Sequence, residues 1–158
     1  MNLNEIVCDI EYSKKLKELG FHDSIFVWYF DKEKNKYVLT IRNEYIVSYG
    51  NDDYYPAFLS DELIELLPSW INTCKDEPFN HFRLRLERAL LCKDNTVESL
   101  SSHFVCNYYC DSTECLGENA WLQRKLLQHN FHSESLANCL VKMLIYLIEN
   151  NLLTKEIA

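Results

Sequence analysis

One stretch constrains the fold more than any other: Ser133 to Asn151, SESLANCLVKMLIYLIENN. Leu136, Leu140, Leu144 and Leu147 recur at helical spacing, with Ala137, Val141, Ile145 and Ile148 beside them. An apolar stripe this wide must be covered on a broad face. It predicts a long core helix, capped by Ser133 and lying deep in a packed domain. Cys139, Met143 and Tyr146 stand at i, i+4 and i+7 on a further flank. Left uncovered by the rest of the chain, that flank predicts the seam of a homodimer.

Other elements are read from local pattern. Asp9 to Leu19 predicts a helix capped by Asp9, with Gly20 in the left-handed position that ends it and Phe21 folding back on Leu16. Ser24–Phe30 and Tyr37–Arg42 are rich in β-branched and aromatic residues, and the charged run between them predicts a hairpin. A third short strand is expected over Tyr45–Tyr49. Gly50–Pro56 reads as a loop. Ser60–Leu67 predicts a helix with Ser60 as N-cap, Leu59 and Ile64 as a hydrophobic staple and Pro68 at its exit. Residues 72–78 read as a linker. Phe82 to Glu87 alternates strictly, which is the signature of a half-buried antiparallel strand. His103–Cys110 predicts another strand with Phe104, Cys106 and Tyr108 on one face, Asn119–Gln128 a helix, and His129–His132 a break. The expected fold is a single α+β domain over residues 1–158. A mostly antiparallel sheet of about five strands carries helices on one face.

Charge narrows the partners. Residues 1–80 hold 8 basic and 15 acidic side chains, and residues 81–158 hold 8 and 9, which together give the net charge of −8. So acidic a chain repels phosphate backbones, and direct nucleic-acid binding is disfavoured. Met1–Asp9 has two acids and no basic region ahead of an apolar run, so no secretory leader is expected. No segment offers ~18 uninterrupted apolar residues, so no membrane helix is expected either. A cytoplasmic protein with its seven cysteines as free thiols is the expectation.

Three blocks carry a resemblance: LKELGF with SIFVWYF, then AFLSDELIELLP, then ANCLVKMLIYLIENNLL. Together they resemble a family of small bacterial proteins encoded by phages, prophages and related mobile elements. The likeness covers about residues 8–70 and 133–153 in scattered blocks, and residues 71–132 have no counterpart. It implies a single α+β domain of unassigned function inside a bacterial host cell, and it transfers no catalytic or ligand residue.

Candidate chemistry concentrates in two places. His103, Cys106, Cys110 and Cys115, with His129 and His132 nearby, are the residue types zinc prefers. Their spacing lacks the two-residue cysteine knuckle of common structural sites. On a strand, moreover, His103 and Cys106 face opposite ways, and Cys106 and Cys110 stand ~13 Å apart. Buried free cysteines on a strand and its following loop are the ordinary account of the pattern. A Cys–His nucleophile built from Cys110 or Cys115 with His129 or His132 lacks any local signature. With Gly20, Gly50 and Gly117 the only glycines, no phosphate-cradling loop exists.

The second place is Tyr49, Asp52, Asp53, Tyr54 and Tyr55, an acidic and aromatic stretch suited to a protein partner. Its ordinary account is two tyrosines lodged under a loop with aspartates as turn formers. Arg83, Arg85 and Arg88 are expected on a solvent face. The functional expectation is therefore a non-catalytic, protein-binding accessory factor without a cofactor. It includes the option of an inhibitor of a host defence protein. The alternatives are a small zinc-binding or cysteine-dependent enzyme built on residues 103–132, and a homo-oligomeric structural module.

Overall fold

The computed structural model of the chain describes residues 6–43, 54–72, 81–92, 100–109 and 130–153. Among these, three helices and seven strands occur: α1 (Ile10–Glu18), β1 (Phe26–Asp31), β2 (Lys36–Ile41), β3 (Tyr54–Ala57), α2 (Ser60–Leu66), β4 (Trp70–Asn72), β5 (His81–Cys92), β6 (Leu100–Tyr109), β7 (Phe131–Ser133) and α3 (Leu136–Glu149). The α+β class holds, but the strands form two antiparallel sheets, not one sheet of about five. The first has order β2-β1-β3 and the second β4-β5-β6-β7. The expected strand over 45–49 and the helix over 119–128 lie outside the described residues.

The split has a local cause at β3. Tyr54, Tyr55 and Pro56, expected in a loop, pair with β1 in the register Tyr29↔Tyr54, Trp28↔Tyr55 and Val27↔Pro56. Proline is tolerated there because β3 is an edge strand among the described residues, where a missing N–H can face away from the ladder. The β1–β2 hairpin runs as expected, from Phe26↔Ile41 to Asp31↔Lys36. Asp31 Oδ1 accepts from the Glu33 and Lys34 backbone N–H groups, and Asn35 takes φ 49° to close the turn.

The ending of α1 follows the sequence. Gly20 has φ 97°, its N–H donates to Lys17 O, and the Phe21 N–H donates to Leu16 O at 3.0 Å. Those are the two bonds of a Schellman ending. Asn151 repeats the device after α3, with φ 55° and a bond from the Leu152 N–H to Leu147 O at 2.8 Å.

The beginnings of the helices differ from expectation. Asp9 stands at the start of α1 but makes no side-chain cap. The N-cap of α2 is Leu59, not Ser60, and its N–H donates to Glu62 Oε2 at 2.7 Å. The staple positions therefore shift to Phe58 and Leu63, both buried, while Ile64 is left exposed. The C-terminal helix starts at Leu136. Ser133 belongs to β7, and Ser135 is the cap, accepting from the Asn138 N–H at 3.3 Å. The helix is thus 14 residues long, shorter than its apolar stripe suggests.

The core lies where α3 meets the second sheet, α1 and α2. Helix α3 contributes Ala137, Cys139, Leu140, Val141, Met143, Leu144 and Leu147; the sheet contributes Ile71, Phe82, Cys106 and Tyr108. Alternation explains which sheet residues face inward. The register Ile71↔Phe82, Leu84↔Tyr108, Leu86↔Cys106 and Cys106↔Phe131 puts one parity on the α3 side. Tyr108 is fully buried, and its hydroxyl donates to Pro68 O at 2.6 Å, tying β6 to the exit of α2. Polar contacts join α1 and the residue before it to α3: the Asp9–Asn138 pair, a Lys15–Glu149 ion pair at 3.1 Å and Lys142 over the Tyr12 ring at 5.7 Å.

Candidate functional site

The described part of the tyrosine-rich stretch is Tyr54 and Tyr55; Tyr49, Asp52 and Asp53 lie outside the described residues. Both tyrosines are half-buried beside α1. The Lys17 ammonium donates to Tyr54 O at 2.9 Å and stands 4.6 Å from the Tyr54 ring centroid and 5.1 Å from that of Tyr55. Lys14 lies 5.5 Å from the Tyr37 ring and 5.8 Å from the Tyr55 ring. The rings also meet one another: Phe30 and Tyr37 at 5.1 Å, Tyr37 and Tyr55 at 5.8 Å, both edge-on. Each cation–ring contact stabilises by about 0.5–1 kcal/mol at an exposed site.

Register explains the gathering. Trp28 and Phe30 of β1, Tyr37 of β2 and Tyr55 of β3 share the parity that faces α1, and the Trp28 indole N–H donates to Cys8 O at 3.0 Å from that same side. Lys14 and Lys17 are three apart on α1, so both overhang this face. At Tyr54 and Tyr55 the described surface is therefore aromatic with two lysines over it; the aspartates expected to make the stretch acidic lie outside the described residues. Glu11 is the nearby acid: it pairs with Lys14 at 3.0 Å and holds the Lys14 proton more tightly than usual. Sequence reasoning missed Lys14, Lys17 and Tyr37, because only the pairing of β3 with β1 brings them to the tyrosines.

The expected metal set is not assembled by its described members. Cys106 points into the core, whereas His103 lies on the opposite face of β6 with Nε2 3.8 Å from Glu134 Oε1. His132 is exposed on β7, opposite Val105. Cys110, Cys115 and His129 lie outside the described residues. Among the described residues, no group of three or more His, Cys, Asp or Glu side chains is placed to hold a metal ion.

Cys106 has a different neighbour. Cys139 Sγ donates to Phe131 O at 3.0 Å and to Phe104 O at 3.3 Å, against the rung of β6 and β7 that carries Cys106. The neighbouring Cys139 thiol, with burial, pushes the Cys106 thiol well above its ordinary range. Cys8 is a separate buried thiol, with Sγ 3.3 Å from the Ser13 hydroxyl.

Of the flank offered as a dimer seam, two members are covered within the chain and Tyr146 is half-buried. Cys139 and Met143 are buried against the second sheet, and the Tyr146 ring packs on Phe131 at 5.6 Å. The arginines divide between two faces. Arg83 and Arg85 lie outward, Arg85 over the Tyr109 ring at 5.2 Å and paired with Glu87. Arg88 has the parity of the core face, where it covers Phe104 at 5.8 Å. The outward face also holds Asn107, which donates to Asn130 Oδ1 at 2.7 Å; its own Oδ1 is buried without a partner among the described residues. No protein-family model, curated protein or solved structure matches this chain.

Proposed function

We propose that this chain is a non-catalytic accessory protein that binds a protein partner through the face formed by Tyr37, Tyr54 and Tyr55 with Lys14 and Lys17, together with the preceding Tyr49, Asp52 and Asp53. The observation that carries the reading is the ordering of the three tyrosines. Each half-buried ring is held by a lysine or by another ring, so little rotamer entropy is left to lose on binding. Tyrosine then offers a large contact area and a polar tip. The charge of −8 adds long-range attraction for a basic partner and repulsion for nucleic acid.

In the mobile-element setting that the sequence blocks imply, the partner is a protein of the bacterial host, and a defence component that the chain inhibits is the option we favour. A quantitative pull-down from host lysate tests this, comparing wild type with Tyr54→Ala/Tyr55→Ala and Asp52→Ala/Asp53→Ala. Circular dichroism confirms that each variant is folded. The expected result is one specific partner retained by wild type and lost from the tyrosine variant. The same partners at unchanged affinity would remove this face from the account.

A further inference from the structure

Cys139 lies on the sheet side of α3, where its sulfur reaches the carbonyl oxygens of Phe131 and Phe104. Phe131 is the register partner of Cys106. Paired strand residues have Cα atoms ~4.5–5.5 Å apart. The Cys139 sulfur therefore sits against the rung of the ladder that carries Cys106. Cys106 points the same way, because it shares its parity with the core residues Phe104 and Tyr108. The two side chains converge from separate elements, both fully buried and both reduced. Convergence from neighbouring backbones is what a disulfide requires.

We propose that Cys106 and Cys139 are an oxidation site, a dithiol that a low-molecular-weight disulfide converts into an intramolecular Cys106–Cys139 bond fastening α3 to β6. In the first step one cysteine thiolate attacks a sulfur of the oxidant, forming a mixed disulfide and expelling one small thiolate. The second cysteine, as thiolate, then attacks the protein sulfur of that mixed disulfide and expels the other. The two cysteine protons end on the two small thiols released, and the oxidant accepts two electrons. Burial makes local opening the gate to the first step, so the reaction runs faster as the chain approaches its unfolding midpoint. The bond encloses residues 107–138, including Cys110, Cys115 and His129.

The test is oxidation of the full chain with oxidised glutathione at increasing temperature up to its unfolding midpoint. Remaining thiols are then alkylated in denaturant and the peptides mapped without reduction. The expected product is a monomer lighter by two hydrogen atoms, with Cys106 linked to Cys139. Its thermal midpoint is higher by several degrees, and dithiothreitol reverses both changes. Cys106→Ser and Cys139→Ser each abolish the linkage and the shift, whereas Cys8→Ser keeps them. Recovery of Cys106 and Cys139 in alkylated or glutathione-capped form at the midpoint overturns the proposal. So does a dominant linkage to any other cysteine, or a midpoint shift that survives in Cys106→Ser. Should the serine variants not fold, the wild-type peptide map decides alone.

Discussion

Asn138 and Asp9 hold each other by two hydrogen bonds across 129 positions of sequence. The Asp9 backbone N–H donates to Asn138 Oδ1 at 2.8 Å, and Asn138 Nδ2 donates to Asp9 Oδ2 at 2.7 Å. Asn138 is buried within the apolar stripe of α3, so both halves of its amide need these partners. The arrangement also explains why the Asp9 carboxylate does not cap its own helix.

Replacing Asn138 should therefore be costly. Asn138→Ala strips the partner from the Asp9 N–H and should destabilise by about 2–3 kcal/mol, read from urea denaturation midpoints. Asn138→Asp sets two carboxylates together and should cost more at neutral pH. The excess should shrink on acidification and on adding Asp9→Asn, because either change relieves the like-charge repulsion.

The two helix endings make a paired prediction. A Cβ at Gly20 would meet nothing within 4 Å, so the cost of Gly20→Ala is the strain of φ 97° alone. About 1 kcal/mol is expected. Asn151→Gly relaxes the same kind of position after α3 and should stabilise by about 0.5 kcal/mol. Thermal unfolding of the two single variants should move in opposite directions.

Cys8 gives an alkaline dependence. Burial pushes its thiol up to about 11 from the ordinary 9.0, against a smaller opposing effect of the Ser13 hydrogen bond. While the thiol is protonated in both states its burial carries no ionisation penalty, but above its unfolded pKa the unfolded chain ionises first and is favoured over the folded one. The contribution is therefore fully present below pH 9.0 and is lost as pH rises to about 11. The loss from this group is about 2–3 kcal/mol. Cys106 and Tyr108 are raised too, so wild-type stability falls for several reasons at once. The difference between wild type and Cys8→Ala isolates Cys8: it should be constant below that window and narrow across it.

Tyr108→Phe removes only the hydroxyl that reaches Pro68 O. The ring still fills the core, so the expected loss is about 1–2 kcal/mol, for one hydrogen bond and one buried carbonyl left bare. Tyr108→Ala should cost about 3–5 kcal/mol through the cavity it opens. Guanidinium denaturation of both variants separates the bond from the packing.

What could be read in advance was local. Gly20 and Phe21 ended α1 as their chemistry requires, and the alternation from Phe82 to Glu87 sorted core from solvent along that part of β5. Leu86 shows where the pattern weakens: it has core parity but is 39 % exposed. The remaining features depend on partners distant in sequence. Tyr54–Pro56 becomes a strand only because β1 offers it an edge, and that pairing divides the strands into two sheets. Asp9 yields its capping role to a residue far along the chain. The lysines over the tyrosines and the closeness of Cys106 and Cys139 follow from the same long-range packing, which no window of local periodicity contains.

Helix α3 supplies more of the buried cluster than any other described element, and it is the last described element in chain order. A ribosome makes the chain from the other end, at roughly 5–20 residues per second. Until α3 is made, Phe82, Cys106 and Tyr108 exist without the surface they are destined to pack against, and the start of α1 waits for Asn138. Folding of this core therefore waits for residues 136–149 to emerge, and a nascent chain halted before residue 136 should occupy chaperones rather than a native state.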